Sequence, residues 1–480
     1  MSTISSAGIG SGLDVESIVT KLMAIEKQPL TALQTQASAL DSKISAFGTI
    51  TSQLSALNDS VTALSLPATW SSKTVSSSNT TAVSASMSGT GALTTSFSLQ
   101  VSQLAQGQSV ASSAVTAGSG FGAGTLSIQL GTWAGTTPAF TAGSAAAVSV
   151  TVAQGDSMST IAGKINAAGA GVTATVIKDL SGERLLMRST ATGEASGFRI
   201  QTTDGAGATG PSLAALAFDN PSAGAGMAAN PVQYGLNAKA SINGVAIASA
   251  SNTLADTVPG LTLTLSQVTT APVEIAVSND TGSQTTAVNA FVKAYNAMNE
   301  MFNAATKYDS TTKTGALLQG DSTTTGLQTA MRTLIGAVSG GGGTLQRLSD
   351  LGISISKDGA GDLAIDSTKL AAALKDPVGV GAFFTSATGK SDSATGFATR
   401  MKTFLDGAIG SAGILAVKTT SLQSQKTSNG KDQARLSDRL TTVEANMRKQ
   451  YSALDTKMAS LTALNSYITQ QIAQWNKTSG

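Results

Sequence analysis

The spacing of apolar residues is helical at both ends of this chain and strand-like between them. Apolar or small residues recur every three or four positions from Leu30 to Phe47, and again from Leu436 to Leu461. Such spacing places one apolar stripe along each helix. Because an apolar stripe needs a partner, the sequence predicts that the termini pair with each other or enter a larger helical assembly.

The N-terminal helical region has recognisable start and stop signals. Asp14 can cap a helix that begins near Val15, with a stripe through Ile18, Leu22 and Ile25. A proline removes a backbone donor and restricts the residue before it. We therefore expect an interruption at Pro29, resumption as far as Leu64, and an end at Pro67.

Alternation with a period of two predicts strands in the middle of the chain. The clearest alternating segments are 97–101, 126–130 and 148–152, and a short helix is predicted at 157–168. Further strand-like segments are 172–177, 184–188, 198–201 and 240–277, the last with a turn at Pro259-Gly260. Residues 204–231 are rich in Gly, Ala and Pro, which predicts a loop or linker.

Helical spacing returns at Val288 and continues, with interruptions, almost to the end. Helices are predicted at 288–305, 327–338, 367–374, 397–409 and 415–475, and a hairpin at 352–356 with 362–366. The tetraglycine at 340–343 breaks the second of these helices.

The predicted fold class is therefore α+β and multidomain, a helical frame with β-rich domains inserted. A chain of 480 residues exceeds the roughly 250–300 residues at which a single core stops growing. Four parts are predicted: terminal coiled-coil-like helices (1–45 with 411–480), a helical core domain (46–72 with 281–410), a β domain (73–105 with 236–280) and a second inserted β domain (106–235).

Composition argues against several classes of function. Charged residues form 12% of the chain, against about 25% in typical proteins, and the formal net charge is only +2. Nucleic acid is therefore not an expected partner. The chain has no Cys and no His, so zinc sites with those ligands and Ser-His or Cys-His nucleophile systems are excluded. We expect no catalytic, cofactor-binding or metal-binding residues.

Two segments suggest ligand sites but fit simpler roles. The glycine-rich residues 118–124 match neither phosphate-loop pattern, so a plain loop is expected. Asp358, Asp362 and Asp366 lack the alternating acidic residues and distal Glu of a calcium loop, so turns and caps are expected. The first residues lack the features of a secretory signal peptide, and no apolar run reaches the roughly 18 residues of a membrane span. We therefore expect no membrane insertion.

Several separated motifs resemble those of one known family. They are residues 10–19, 22–26, 242–256, 259–265, 291–296, 351–353, 363–366, 451–455 and 467–471. In this order they resemble the FliD family of flagellar filament-capping proteins, also called flagellar hook-associated protein 2. Residues 156–166 and 183–193 are similar to a small β motif shared by flagellins and hook-associated proteins. One difference is the segment 358–362, which is about two residues longer than the tight turn usual in the family.

The resemblance implies a structural function. Similar proteins are exported through the flagellar type III channel without a cleaved signal, and form an annular homo-oligomer at the filament tip outside the cell. There they retain flagellin and promote its folding and insertion. The expected partners are further copies of the chain, flagellin, an export chaperone, and the hook-filament junction protein during initiation. A tip adhesin or another axial protein, such as a hook-filament junction protein, remains the alternative.

The residues expected at the assembly interface lie on the terminal stripes. From periodicity alone, the same stripes could be intramolecular core. With the resemblance, the predicted interface residues are Leu13, Ile18, Leu22, Leu33, Leu40, Tyr451, Leu454, Met458, Leu461, Ile468, Ile472 and Trp475.

Overall fold

The computed structural model describes residues 14–89, 91–339, 343–357, 360–386 and 395–478. The chain forms two compact units, Met1–Ser71 with Thr281–Gly480 and Ser72–Asp280. The helices are α1 Val15–Glu26, α2 Gln28–Ser65, α3 Pro67–Ser71, α4 Met158–Ala167, α5 Thr281–Thr306, α6 Ser322–Gly336, α7 Ser367–Ala373, α8 Pro377–Thr385, α9 Phe397–Ile409 and α10 Ile414–Thr478.

The strands divide between small antiparallel sheets. Their bounds are β1 Lys73–Ser77, β2 Val83–Met87, β3 Thr95–Gln103, β4 Ser109–Ala111, β5 Gly124–Ala134, β6 Ala139–Ala142, β7 Val148–Val152, β8 Val172–Asp179, β9 Gly182–Ser189, β10 Gly197–Asp204, β11 Ala238–Ile242, β12 Val245–Ser249, β13 Thr253–Val258, β14 Leu261–Leu265, β15 Val273–Asn279, β16 Tyr308–Asp309, β17 Thr314–Gly315, β18 Ile353–Ile355 and β19 Leu363–Ile365. The predicted α+β fold class, with a helical frame and β-rich insertions, is confirmed.

The N-terminal helices begin and end where the sequence signals predicted. The Asp14 carboxylate accepts a hydrogen bond from the Ser17 N–H at 3.0 Å, which caps α1. The break between α1 and α2 falls at Lys27, so Pro29 lies in the first turn of α2, where a missing N–H does no harm. Leu66 is extended immediately before Pro67, and α2 ends there.

The helical unit packs around α2. Its buried face meets α5 and α9. At one end of this core the rings of Trp70 and Phe384 stack with centroids 4.7 Å apart. Helix α8, which carries Phe384, is absent from the predicted elements because nine residues with two glycines show no repeated helical pattern. The α2 residues of this core are Phe47, Ile50, Leu54, Leu57, Val61 and Leu64.

Asparagines on α5 attach the small β18–β19 hairpin to the helical core. The Asn296 side chain donates to the Leu363 carbonyl at 2.9 Å and accepts from the Leu363 N–H at 2.7 Å. One turn later, buried Asn299 donates to the Ala360 carbonyl at 2.8 Å and to the Asp362 carboxylate at 2.7 Å. These bonds replace the water that the hairpin backbone would lose on burial. Asp358 lies outside the described residues.

The β unit contains two clusters of buried residues. One lies between a five-stranded sheet, ordered β1-β15-β3-β11-β12, and a three-stranded sheet, β13-β14-β2. The other is built from β10-β5-β6 with β7 beside β5, from β4-β9-β8, and from α4. The predicted division of the whole chain into four parts stays a prediction.

Residues 204–231 correct one expectation. They are irregular, as predicted, but Leu213, Leu216, Phe218 and Met227 are fully buried in the second cluster. This stretch is therefore part of a β-domain core and not a linker. Its short turns gave no periodic pattern that sequence inspection could detect.

Candidate assembly interface

Helices α2 and α10 run antiparallel along a seam that is polar in its middle. The direction follows from three contacts, in which the α10 partner moves forward along its helix as the α2 residue moves back, from Asp41 through Gln36 to Leu33. Lys426 pairs with Asp41 at 2.5 Å, and the Asn429 amide donates to the Gln36 side chain at 3.0 Å. The Gln433 amide reaches the Leu33 carbonyl at 3.4 Å. Buried Asn429 favours this register over shifted ones, because a slip would leave its amide unpaired.

Beyond the polar seam, α1 packs on α10 through a separate apolar cluster. Val15, Val19 and Met23 are buried there with Leu440. Their spacing of four residues places them on one face of α1. Leu30, Leu436, Val443, Met447 and Tyr451 pack around this cluster.

An ion pair marks the end of the contact between α1 and α10. Both Nη atoms of Arg448 bind the Glu16 carboxylate, one of them at 2.8 Å. Nε and Nη2 of Arg448 also contact Glu444 at 3.1 and 3.0 Å. The hydrogen bonds from Arg448 lower the pKa of Glu16, and those carboxylates raise the pKa of Arg448. The pair is solvent-exposed, so its geometry orients α1 more than it stabilises the fold.

From Leu454 onward, the apolar side chains of α10 lose their cover. Leu454 is 44% exposed, Leu461 59% and Trp475 75%. The other exposed apolar residues of this segment are Met458, Leu464, Tyr467, Ile468 and Ile472. Helix α10 itself continues to Thr478.

Six of these exposed side chains form one stripe with coiled-coil spacing, and Leu464 and Tyr467 lie beside it. Starting from Tyr451, the positions Leu454, Met458, Leu461, Ile468, Ile472 and Trp475 follow steps of 3, 4, 3, 7, 4 and 3. This is the alternation of three and four that defines a heptad seam, with Asn465 at the position skipped by the step of seven. We call the six residues from Leu454 to Trp475 in this set the exposed stripe.

The structure separates the predicted interface residues into three groups. Leu13 lies outside the described residues. Leu40 is only 7% exposed and packs in the helical core, while Ile18, Leu22, Leu33 and Tyr451 are half-buried within the chain. The exposed stripe comprises the other predicted residues: Leu454, Met458, Leu461, Ile468, Ile472 and Trp475.

Two corrections follow from this placement. The stripe predicted through Ile18, Leu22 and Ile25 is not the buried face of α1, because Ile25 is 62% exposed and Val15, Val19 and Met23 fill the contact. Leu40 serves as core, so we do not retain it as an interface residue. On α1 two apolar sets overlap, and contact with α10 selects between them; on α2, the spacing that includes Leu40 does not distinguish core from interface.

Two features are absent from the part of the chain that the structure describes. In those residues, no three or more acidic side chains come together in a way that could hold a metal ion. Within the same part of the chain, no helix combines the length and the apolar composition needed to cross a bilayer.

Comparison with known proteins gives a consistent picture. Residues 11–108 match the family described as flagellar hook-associated protein 2 N-terminus, and residues 235–463 match its C-terminus. Residues 134–191 match the flagellin hook IN motif, the segment in which sequence inspection found the small β motif.

Full-length relatives and a solved structure agree with these matches. The B-type flagellar hook-associated protein 2 of Pseudomonas aeruginosa is 32% identical, over 99% of this chain and 98% of its own. The flagellar hook-associated protein 2 of Escherichia coli K12 is also 32% identical, with 98% of each chain covered. The crystal structure of the D1-D2-D3 domains of the Escherichia coli flagellar cap protein FliD is 30% identical with a TM-score of 0.55, covering 79% of this chain and 99% of that one. The protein therefore belongs to the flagellar hook-associated protein 2 family, the FliD family.

Proposed function

We propose that this protein is the structural cap at the distal end of a bacterial flagellar filament, and that the exposed stripe of α10 joins it to the assembly. The relatives are named as hook-associated and cap proteins, which supports the role. The observation that carries the interface is the row of exposed apolar side chains from Leu454 to Trp475 on an otherwise regular helix.

Physical chemistry favours burial of this stripe in an assembly. Contiguous apolar patches are uncommon on isolated soluble proteins and mark interaction sites. Covering apolar surface contributes roughly 25 cal/mol per Å². The heptad spacing fits an amphipathic helix as the covering element, because knobs at three- and four-residue steps fill the holes of a facing helix.

The partners and location follow from the proposed role. Further copies of this chain would form the annular cap, and flagellin would be retained beneath it and inserted. We also propose a cytoplasmic export chaperone, contact with the hook-filament junction protein during initiation, and an extracellular site at the filament tip reached without a cleaved signal peptide. Neither a catalytic function nor a cofactor is part of the proposal. Membership of the flagellar hook-associated protein 2 family argues against the alternative that this chain is a hook-filament junction protein.

Complementation of a cap-deficient strain tests the proposal. Leu461→Asp places a carboxylate on the exposed stripe, where burial in an interface would cost several kcal/mol, on the order of the penalty for an unpaired buried charge. Ser466→Asp makes the same change in charge on the same helix, off the stripe. We expect Leu461→Asp to leave flagellin monomers in the medium and cells without filaments, and Ser466→Asp to restore motility. Full motility with Leu461→Asp would refute the interface.

A further inference from the structure

A small cavity in the β unit combines aromatic rings with a carboxylate. It has a volume of about 360 Å³ and lies beside the turn between β5 and β6. Trp133 and Tyr234 line it, together with Glu194 from a short helical turn and Thr132. A volume of this size matches the lower range of small-molecule sites, roughly 300–1,000 Å³.

The aromatic walls are held in place from behind. The Trp133 indole N–H donates to the Phe198 carbonyl at 2.9 Å. Phe140 and Phe218 pack against Trp133 at centroid distances of 5.0 and 5.2 Å. The rings of Trp133 and Tyr234 are 6.5 Å apart and inclined at 56°, so they form two sides of a corner. A ring fixed in this way needs no reordering when a ligand arrives.

The carboxylate gives the cavity a negative charge. In the described part of the chain, the Glu194 side chain has no lysine or arginine as an ion-pair partner, although its backbone N–H donates to Asn237 at 3.0 Å. Arg199 lies 4.7 Å from the centre of the Phe140 ring and pairs with Asp219 at 3.6 Å. Within the described residues, the negative charge of Glu194 is therefore not paired with a cation.

We propose that this cavity binds the methylated ammonium group of a choline-type ligand. The electron-rich faces of Trp and Tyr attract a quaternary ammonium group. Because such a group is weakly hydrated, the free-energy cost of removing it from water is small. Glu194 adds the charge complement at the edge of the aromatic corner. A quaternary ammonium has no N–H, so its recognition rests on the ring faces and the carboxylate and needs no directed hydrogen bond.

Titration of the full-length protein with choline and tetramethylammonium tests this site. Binding of each probe is measured by calorimetry and by the shift of the NMR signal of the Trp133 indole N–H. That signal is assigned from its absence in Trp133→Phe. We expect saturable binding and a shift of that signal, with the neutral tert-butyl analogue of choline binding about tenfold or more weakly. Equal binding of the neutral analogue, preference for methyl glucoside, or no saturable binding would each overturn the proposal.

Matched variants and two ligand sources complete the test. Glu194→Gln should weaken choline binding about tenfold, while Glu274→Gln, which removes an exposed carboxylate elsewhere in the β unit, should not. Tyr234→Phe keeps the ring and should retain binding, whereas Tyr234→Leu should lose it. Circular dichroism checks that each variant is folded. Unchanged choline binding in both Glu194→Gln and Tyr234→Leu would overturn the assignment.

Vesicle binding then distinguishes two sources of the choline group. Binding to phosphatidylcholine vesicles that free choline displaces indicates a lipid headgroup, and binding of free choline without vesicle binding indicates a soluble ligand.

Discussion

Arg448 on α10 holds the Glu16 carboxylate of α1 with both of its terminal nitrogens, one of them at 2.8 Å. Tyr451 still packs on the cluster between α1 and α10, and the apolar side chains of α10 are exposed from Leu454 onward. The ion pair thus lies at the boundary between the part of α10 that is covered within the chain and the part we propose is covered only in the filament.

Acid should loosen α1 from α10 through Glu16. Because Arg448 lowers the pKa of Glu16 in the fold, the contribution of the pair is complete above the ordinary pKa of a glutamate. It is lost as the pH falls through the lowered value. NMR titration of α1 amides should show this transition below pH 4.5, the ordinary glutamate value. Glu16→Gln should abolish it and Glu26→Gln, on the same helix, should not. An unchanged transition in Glu16→Gln would show that another group is responsible.

Truncation of the stacked aromatic pair should destabilise the helical unit strongly. Phe384→Ala removes a fully buried ring from its stack on Trp70, at an expected cost of about 3–5 kcal/mol in the free energy of unfolding. Leu461→Ala removes a side chain that is 59% exposed, and should change the stability of the dilute monomer by less than about 0.5 kcal/mol. Denaturant unfolding measures both. Comparable losses would mean that Leu461 is buried in the monomer.

The two hydrogen bonds from the Asn296 side chain to the Leu363 backbone should contribute measurably to the free energy of unfolding. Asn296→Ala removes both hydrogen bonds to Leu363 and leaves backbone groups of the hairpin unpaired, with an expected loss of about 1–3 kcal/mol. Asn303→Ala is the comparison, because the half-buried Asn303 side chain donates one bond to the hairpin, to the Ala360 carbonyl that Asn299 also contacts, and otherwise accepts from Gln328 and Arg332. No hairpin group is left unpaired by this change, so the loss should be smaller than for Asn296→Ala. A reversed order would place the hairpin anchor at Asn303.

Gly430 lowers the helix propensity of α10 at a position where the surrounding structure has room for a side chain. It is exposed, its φ is ordinary, and an added Cβ would meet no atom within 4 Å. Gly430→Ala should therefore stabilise α10 by about 0.5–1 kcal/mol. Hydrogen exchange of neighbouring α10 amides should slow accordingly. Gly163→Ala makes the same change on α4, in the β unit, and should leave α10 exchange unaltered. Unchanged α10 exchange in Gly430→Ala would indicate that the seam, and not helix propensity, limits local opening.

Sequence periodicity recovered the long elements because each repeats its pattern several times. The caps and breaks around Asp14, Pro29 and Pro67 fixed the N-terminal helices for the same local reasons that fix them in the structure. Sequence alone could not find α8 or the buried Leu213 and Leu216, since neither segment is long enough to show a period.

The interface residues could not be separated from core residues by sequence alone, because apolar spacing is the same whether a stripe is buried within the chain or in an assembly. The same spacing occurs at Leu440, which packs inside the chain, and at Leu461, which does not. The difference is that α1 contacts α10 at Leu440, and contact with a partner helix is not visible in the spacing of one helix. The cavity at Trp133 gave no sequence signal, because its walls come from segments a hundred residues apart in the chain.

A single cysteine at position 468 tests the central claim most directly. The chain has no native cysteine, so Ile468→Cys, on the exposed stripe, and Ser466→Cys, beside it, can each carry one polarity-sensitive fluorophore. Both labels should report water in the dilute protein. On filaments with bound caps, we predict a shift to an apolar environment and loss of quencher access at position 468, with position 466 changing much less. Equal exposure at both positions on capped filaments would contradict the account.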